Sequence, residues 1–169
     1  MSIFGIVLLL NDDSDTSTSD FSLASPAFDH GGSIPSKYTC DGEDINPRLE
    51  ISGIPNNTQS LALVMDDPDA VQVAGHVWDH WVLWNISPST TVIEENSVPA
   101  HAVQGRNSWG RNDYGGPCPP SGTHRYFFKL YALDAKLDLP SSATKLDLEQ
   151  AMEGHILAQA RLMGTYQKI

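Results

Sequence analysis

An antiparallel β-sandwich is the fold class that this sequence predicts, and three observations predict it. Apolar or aromatic runs of strand length recur along the chain, at Leu61 to Met65, Val77 to Ile86 and Arg125 to Leu133. Pro, Gly, Asn and Asp punctuate the intervals between them, as in Asn107 to Gly122. Only one segment, near the C-terminus, carries a helical pattern. Many short strands divided by turn residues build a sandwich with a large central sheet, and the few helices then sit at its periphery. A length of 169 residues suits one domain with a substantial core, and an apolar content of 40% is ordinary for a globular chain.

In chain order, Ile3 to Leu10 is an apolar run and residues 11–20 (NDDSDTSTSD) form an acidic, polar stretch with little to bury. The second reads as a flexible linker. For the first, two readings stand open: the tail of a signal sequence or anchor, or an extra edge strand or loose tail. It lacks a basic leader and a small-x-small cleavage site. The domain proper is expected over residues 21–169. No apolar run approaches the roughly 20 residues that cross a bilayer, so no transmembrane span is expected.

The helical segment begins with Asp147 as a cap and Gln150 three residues on, in the manner of a capping box. Leu148, Met152, Ile156 and Met163 recur at roughly helical spacing, and Gly164 suits a stop. This predicts one C-terminal helix covering an edge or face of the sandwich.

Acidic residues outnumber basic ones 21 to 10, a net charge of −11. Such a surface repels nucleic acid and anionic membranes, though a few aligned donors in a pocket still bind an anion locally. The two cysteines, Cys40 and Cys118, have no zinc-ligand spacing. Spacing alone leaves two buried thiols and one long-range disulfide both open.

Walker, GxGxxG, HExxH and GxSxG motifs are all missing from the sequence. No cofactor is implied. What remains is a set of polar residues beside strong strands. Asp67 and Asp69 follow the run Leu61 to Met65, with Pro68 fixing the turn between them. His80 sits within VWDHWVLWNI, and a period of two places it with Trp78, Val82 and Trp84. His124 and Tyr126 share a face at the start of the third strand. Ahead of them runs the loop Gly115-Gly116-Pro117-Cys118-Pro119-Pro120-Ser121-Gly122, whose glycines allow backbone N–H groups close approach to a ligand. Imidazole N–H, phenol O–H and glycine N–H are all donors, and together they suit a phosphate or carboxylate. The aspartates would fix the histidine tautomer, or receive the ammonium of a zwitterion.

The segments FSLASPAFDHGGSIPSKYTCDGEDINPRLEISGIP (residues 21–55), LALVMDDPDA (61–70), HVWDHWVLWNI (76–86) and YGGPCPPSGTHRYFFKLYALD (114–134) give the chain a resemblance to the phosphatidylethanolamine-binding protein family. Within it the prokaryotic branch, often called Raf-kinase-inhibitor-like, matches best. The resemblance covers about Phe21 to Met163, and the last motif is the most specific. It implies a β-sandwich with peripheral helices and a small surface cavity for phosphate, phosphorylethanolamine-like groups or acetate. The matching cavity positions are Asp67, Asp69, His80, Gly116, Pro117, His124 and Tyr126. It also implies that Cys40 and Cys118 lie near each other, and a bond between them would favour an exported protein; on sequence grounds both cytoplasmic and exported locations stay open. One departure is Val71, where the family usually has proline, so the turn and the pocket rim are expected to differ locally.

Three functional readings follow. The first is a non-catalytic module binding small anions or phospholipid headgroups. The second is a protein-interaction module, a kinase-pathway regulator or serine-protease inhibitor acting through the cavity rim, where Arg106, Trp109 and Arg111 would serve. The least favoured is a metal-dependent hydrolase using His76, His80, His124 and the aspartates. His76 and His80 stand four apart, about 13 Å along a strand, too far for one metal. The resemblance leaves the protein partner, kinase or protease, and a homodimer open.

Overall fold

The computed structural model describes residues 20–169; the apolar run Ile3–Leu10 and the acidic stretch up to Ser19 lie outside the described residues. Two antiparallel sheets make a sandwich. The small sheet is β1 (Ser22–Ala24), β2 (Leu49–Ser52) and β5 (Val92–Ile93), in the order β1-β2-β5. The large one is β3 (Ser60–Asp67), β4 (Trp78–Ile86), β6 (Val103–Gln104), β7 (Thr123–Leu133) and β8 (Ile156–Gln167), in the order β6-β4-β3-β7-β8.

β3 is central, and all eight of its residues are buried. Both of its faces are covered, which is why its sequence reads as a continuous apolar run and does not alternate. Leu61, Leu63 and Met65 pack with Leu23, Leu49 and Ile51 of the small sheet. Ala62 and Val64 point the other way, into a cluster with Leu148 and Met152 of a helix, α2 (Lys145–Met152). Lys145 pins that helix to the sheet through Asp79 (2.7 Å) and Asp66 (3.3 Å), and Lys129 also holds Asp66 (2.9 Å).

The C-terminal segment differs from the sequence expectation. The helix stops at Met152, and the positions assigned to its continuation form β8, paired with β7 from His124↔Tyr166 to Ala132↔Ala158. Ile156 and Met163 stand seven apart, which fits two helical turns. The stronger signal is the alternation of buried Ala160, Leu162, Gly164 and Tyr166, a period of two. The helix is capped by Thr144; Asp147 is its third residue and accepts from the Thr144 N–H (2.9 Å) to close the box. Gly164 is no stop signal: a Cβ there would fall 2.5 Å from Ile34 and 2.8 Å from Phe28. The residue keeps β8 flat against the 28–34 segment.

β4 contains an irregularity that places a functional residue. Met65 faces Trp81 and Asp66 faces Asp79, so His80 is an extra residue with no partner in β3. Such a bulge turns a side chain out of strict alternation. Val82 and Trp84 belong to the cluster under α2, whereas His80 packs on Tyr126 and Trp109 on the opposite side. The shared face with Val82 and Trp84 is therefore corrected.

Candidate functional site

Asp67 ends β3, and Pro68 ends the pairing because it has no N–H. The Asp67 carboxylate caps the 3-10 turn Pro68–Ala70: Oδ1 accepts from the N–H groups of Asp69 (2.9 Å) and Ala70 (3.1 Å). Its other oxygen, Oδ2, accepts from Nδ1 of His124 at 2.7 Å. β7 lies beside β3 in the sheet, which is what carries His124 to the end of that strand. Asp69 is committed elsewhere. It takes the Arg125 backbone N–H (2.8 Å) and both arms of its guanidinium (3.0 and 2.8 Å), and these bonds hold its carboxyl below the usual range. Where the family usually has proline, Val71 starts a single helical turn, α1 (Val71–Ala74), closed by Gly75 in the left-handed region.

Tyr126 stacks on His124, with ring centroids 6.5 Å apart. Its hydroxyl is buried, lies beside Asp67 and the Cys118 backbone, and makes no hydrogen bond of good geometry. Burial and the Asp67 charge push the phenol far above its ordinary range, so it stays a protonated donor.

His80 lies one ring further in, edge-on to Tyr126 (5.3 Å) and to Trp109 (5.0 Å). Its Nδ1–H donates to the Gly115 carbonyl at 2.7 Å; a carbonyl only accepts, which fixes the tautomer. Burial pushes the pKa of His80 down, and the Gly115 carbonyl and the charges of Asp67, Asp66 and Asp79 oppose this without reversing it. A consequence for stability follows. The unfolded chain, with histidine near pH 6.5, takes up a proton that folded His80 resists. Its contribution is complete above about pH 6.5 and is lost as pH falls toward the lower folded value. The melting temperature should drop between pH 7 and 5, and drop less in His80→Gln. Equal drops in both proteins would assign the acid sensitivity to other groups.

Asp67, His124 and Tyr126 form the polar end of a cavity of ≈ 340 Å³. Its remaining lining is Ala70, Val73, Ala74, Trp78, Trp109, Cys118, Pro119 and Pro120. Of the residues expected at the site, Gly116 and Pro117 do not reach this lining. The Gly116 N–H donates to Asp44 Oδ1 (2.7 Å), the Gly115 N–H donates to the His80 carbonyl (3.1 Å), and the Pro117 carbonyl accepts from Cys40 (3.1 Å). The glycine amides offered to an anion are already used. Gly116 is required for packing, since a Cβ would meet the Tyr38 carbonyl at 2.3 Å.

Among the rim residues, Trp109 lines the cavity, and Arg111 lies over its ring (5.3 Å) while pairing with Asp113 (3.0 Å). Arg106 is exposed and bonded through its N–H to Ala143, away from the lining. The loop is built on buried Asn107, whose Oδ1 accepts from the N–H groups of Trp109 and Arg111 and whose Nδ2 donates to Asp113. Sequence reasoning passed over Asn107 and Val73, and placed Pro119 and Pro120 in the loop beside the site without assigning them to the cavity. An apolar Val73 in a connection was the available signal. His76 lies before β4, stacked on Trp78 at 5.3 Å. Cys40 and Cys118 are joined by a disulfide, Cα atoms 5.5 Å apart.

A family model described as phosphatidylethanolamine-binding protein matches residues 24–167. The chain belongs to the phosphatidylethanolamine-binding protein family. Its relatives include a UPF0098 protein of Methanothermobacter thermautotrophicus, 52% identical over 151 residues, covering 86% of this chain and 98% of that one. A putative phosphatidylethanolamine-binding protein homologue from Chlamydia trachomatis superposes with a TM-score of 0.85 at 42% identity, covering 90% of this chain and all of the other. The Escherichia coli family member YbcL gives 0.82 at 30% identity, covering 88% and 99%. Membership of the phosphatidylethanolamine-binding protein family bears out the resemblance drawn from residues 61–70 and 114–134, and the sandwich fold with it.

Proposed function

We propose that the chain is a non-catalytic binding module whose cavity takes the anionic end of a small acid or phosphorylated headgroup. The observation that carries this is the buried, unpartnered Tyr126 hydroxyl beside His124. Asp67 fixes Nδ1 of that ring, leaving Nε2 as its remaining polar atom. The Tyr126 O–H, together with Nε2 of His124 when the ring is an imidazolium, gives two donors against an apolar wall, which suits one anionic group. The same bonds argue against chemistry: both oxygens of Asp67 are engaged, by its cap and by His124, and His80 is tied to a carbonyl through Nδ1. Neither is set against a nucleophile as a base must be.

Calorimetric titration with acetate and inorganic phosphate tests this. His124→Ala should weaken binding by about 1.5–3 kcal/mol, the worth of a charged hydrogen bond, with the melting curve little changed. Equal affinity in the variant would remove the site.

A second reading is favoured by the rim, where Val71, Val73 and Trp109 are 48%, 53% and 39% exposed. Apolar and aromatic side chains grouped this way suit a protein partner. The purified chain would then inhibit a serine protease or a kinase in a direct assay, and a Val71→Glu/Val73→Glu double variant would lose that inhibition.

A further inference from the structure

We infer that the cavity selects acids carrying an uncharged apolar group over zwitterions carrying an ammonium. This rests on the anion-binding reading above and names the ligand class of that site. Among the described residues the only carboxylate in the lining is Asp67. Its Oδ1 already accepts two backbone N–H groups and its Oδ2 the His124 ring, and the side chain is buried, so an entering ammonium finds at most one of its roughly four acceptor sites to replace its water. Asp69 is paired with Arg125 and Asp113 with Arg111, and Asp66 and Asp79 are paired with lysines on the opposite face of the sheet, turned away from the cavity.

Aromatic faces are the second way to hold an ammonium. Here the Arg111 guanidinium lies over Trp109, and His76 stacks on Trp78. Each indole already has one face covered by another group.

What the cavity does offer is apolar. Ala70, Val73, Ala74, Pro119 and Pro120, whose side chains are hydrocarbon, make up much of the lining beside His124 and Tyr126. A volume of ≈ 340 Å³ is the liquid space of about eleven waters at ~30 Å³ each, well beyond a bare five-atom phosphate. The extra room faces hydrocarbon walls, so a methylene placed there gains about fourfold in affinity, while an ammonium placed there loses hydration. The net charge of −11 does not reverse this order, because screening over about 8 Å leaves the contacts inside the cavity to decide.

An isosteric pair tests the idea directly. Propyl phosphate and phosphorylethanolamine differ by a methyl in place of an ammonium, and inorganic phosphate supplies the head alone. On the full chain at fixed pH and salt, propyl phosphate should bind at least tenfold more tightly than either. Phosphorylethanolamine binding as tightly as propyl phosphate, with both weakened by His124→Ala, would overturn the selectivity and leave the anion site standing. No binding by any of the three, or binding indifferent to His124→Ala, would overturn the site and the selectivity together. Val73→Asp adds the missing carboxylate at an exposed wall position. It should move the ratio of the two affinities at least tenfold toward phosphorylethanolamine, and an unmoved ratio counts against the inference.

Discussion

Removing the Cys40–Cys118 bond, by a double Cys→Ser substitution or by reduction, is expected to lower the unfolding free energy by about 4–5 kcal/mol. The bond closes a separation of 78 residues, and cross-linking a loop of that length takes this much conformational freedom from the unfolded chain. The native state should change little, because other bonds already hold the two segments together. The Tyr114 hydroxyl donates to the Tyr38 carbonyl (2.8 Å), the Gly116 N–H to Asp44 (2.7 Å) and the Cys40 N–H to the Pro117 carbonyl (3.1 Å). The folded reduced protein should therefore retain its cavity. Denaturant unfolding with and without reductant reads the effect as a lower midpoint and a steeper slope, since the unfolded chain expands when the link is cut. An unchanged midpoint would mean that the unfolded chain keeps the two segments together unaided. Cys118 is itself a cavity residue, followed by Pro119 and Pro120. A loss of anion affinity larger than the small native-state change allows would show that the bond also holds the binding wall.

The sequence was most legible where one physical demand acted alone. The run Leu61–Met65 is continuous because a central strand is buried on both faces, and Asp67-Pro68-Asp69 marks its end because proline cannot continue the pairing. His124 and Tyr126 share a face by simple alternation along β7, and the structure keeps them there. Legibility failed where two periods fit the same letters or where a register shift intervened. Residues 156–163 satisfy helical spacing and strand alternation at once, and the length of β7 that needed a partner decided for the strand. His80 changes sides through one inserted residue in β4, which no composition rule announces. The use of each polar atom was the least visible feature. Gly116 and Asp69 stand beside the site in sequence, yet Asp44 and Arg125, distant in the chain, occupy them. The sandwich could thus be read from local patterns, whereas the engagement of Asp67 by the His124 ring and two amides depends on strands that meet only in the folded chain.

Asp67→Asn is expected to change how anion binding responds to pH. In the unchanged protein an ionised Asp67 only accepts, so Nδ1 of His124 must carry a hydrogen. A neutral His124 then presents a bare lone pair at Nε2, and only the imidazolium donates to a bound anion from that atom. Donation from that atom therefore requires a proton on the ring, and acetate affinity compared at pH 6 and pH 8 should be no higher at the second value if the anion takes its bond from Nε2. Acetate is the suitable probe, because it stays a monoanion across this range, whereas phosphate changes charge near pH 6. Tyr126 adds no slope, since its phenol is held protonated throughout. His80 adds none either, its Nδ1–H being spent on Gly115, so His80→Gln should keep the wild-type slope. In Asp67→Asn the amide oxygen still accepts from the Asp69 and Ala70 N–H groups, while the amide NH₂ turns to His124 and donates to Nδ1. The ring takes the other tautomer and carries its hydrogen on Nε2 while neutral. The variant should therefore lose less acetate affinity between pH 6 and 8 than wild type does, because its neutral ring still donates from Nε2. Acetate affinity measured at both values, with the nitrogen NMR shifts of His124 reporting the tautomer, checks the difference in slope. Parallel pH profiles in the two proteins would show that the anion does not take its hydrogen bond from Nε2 of His124.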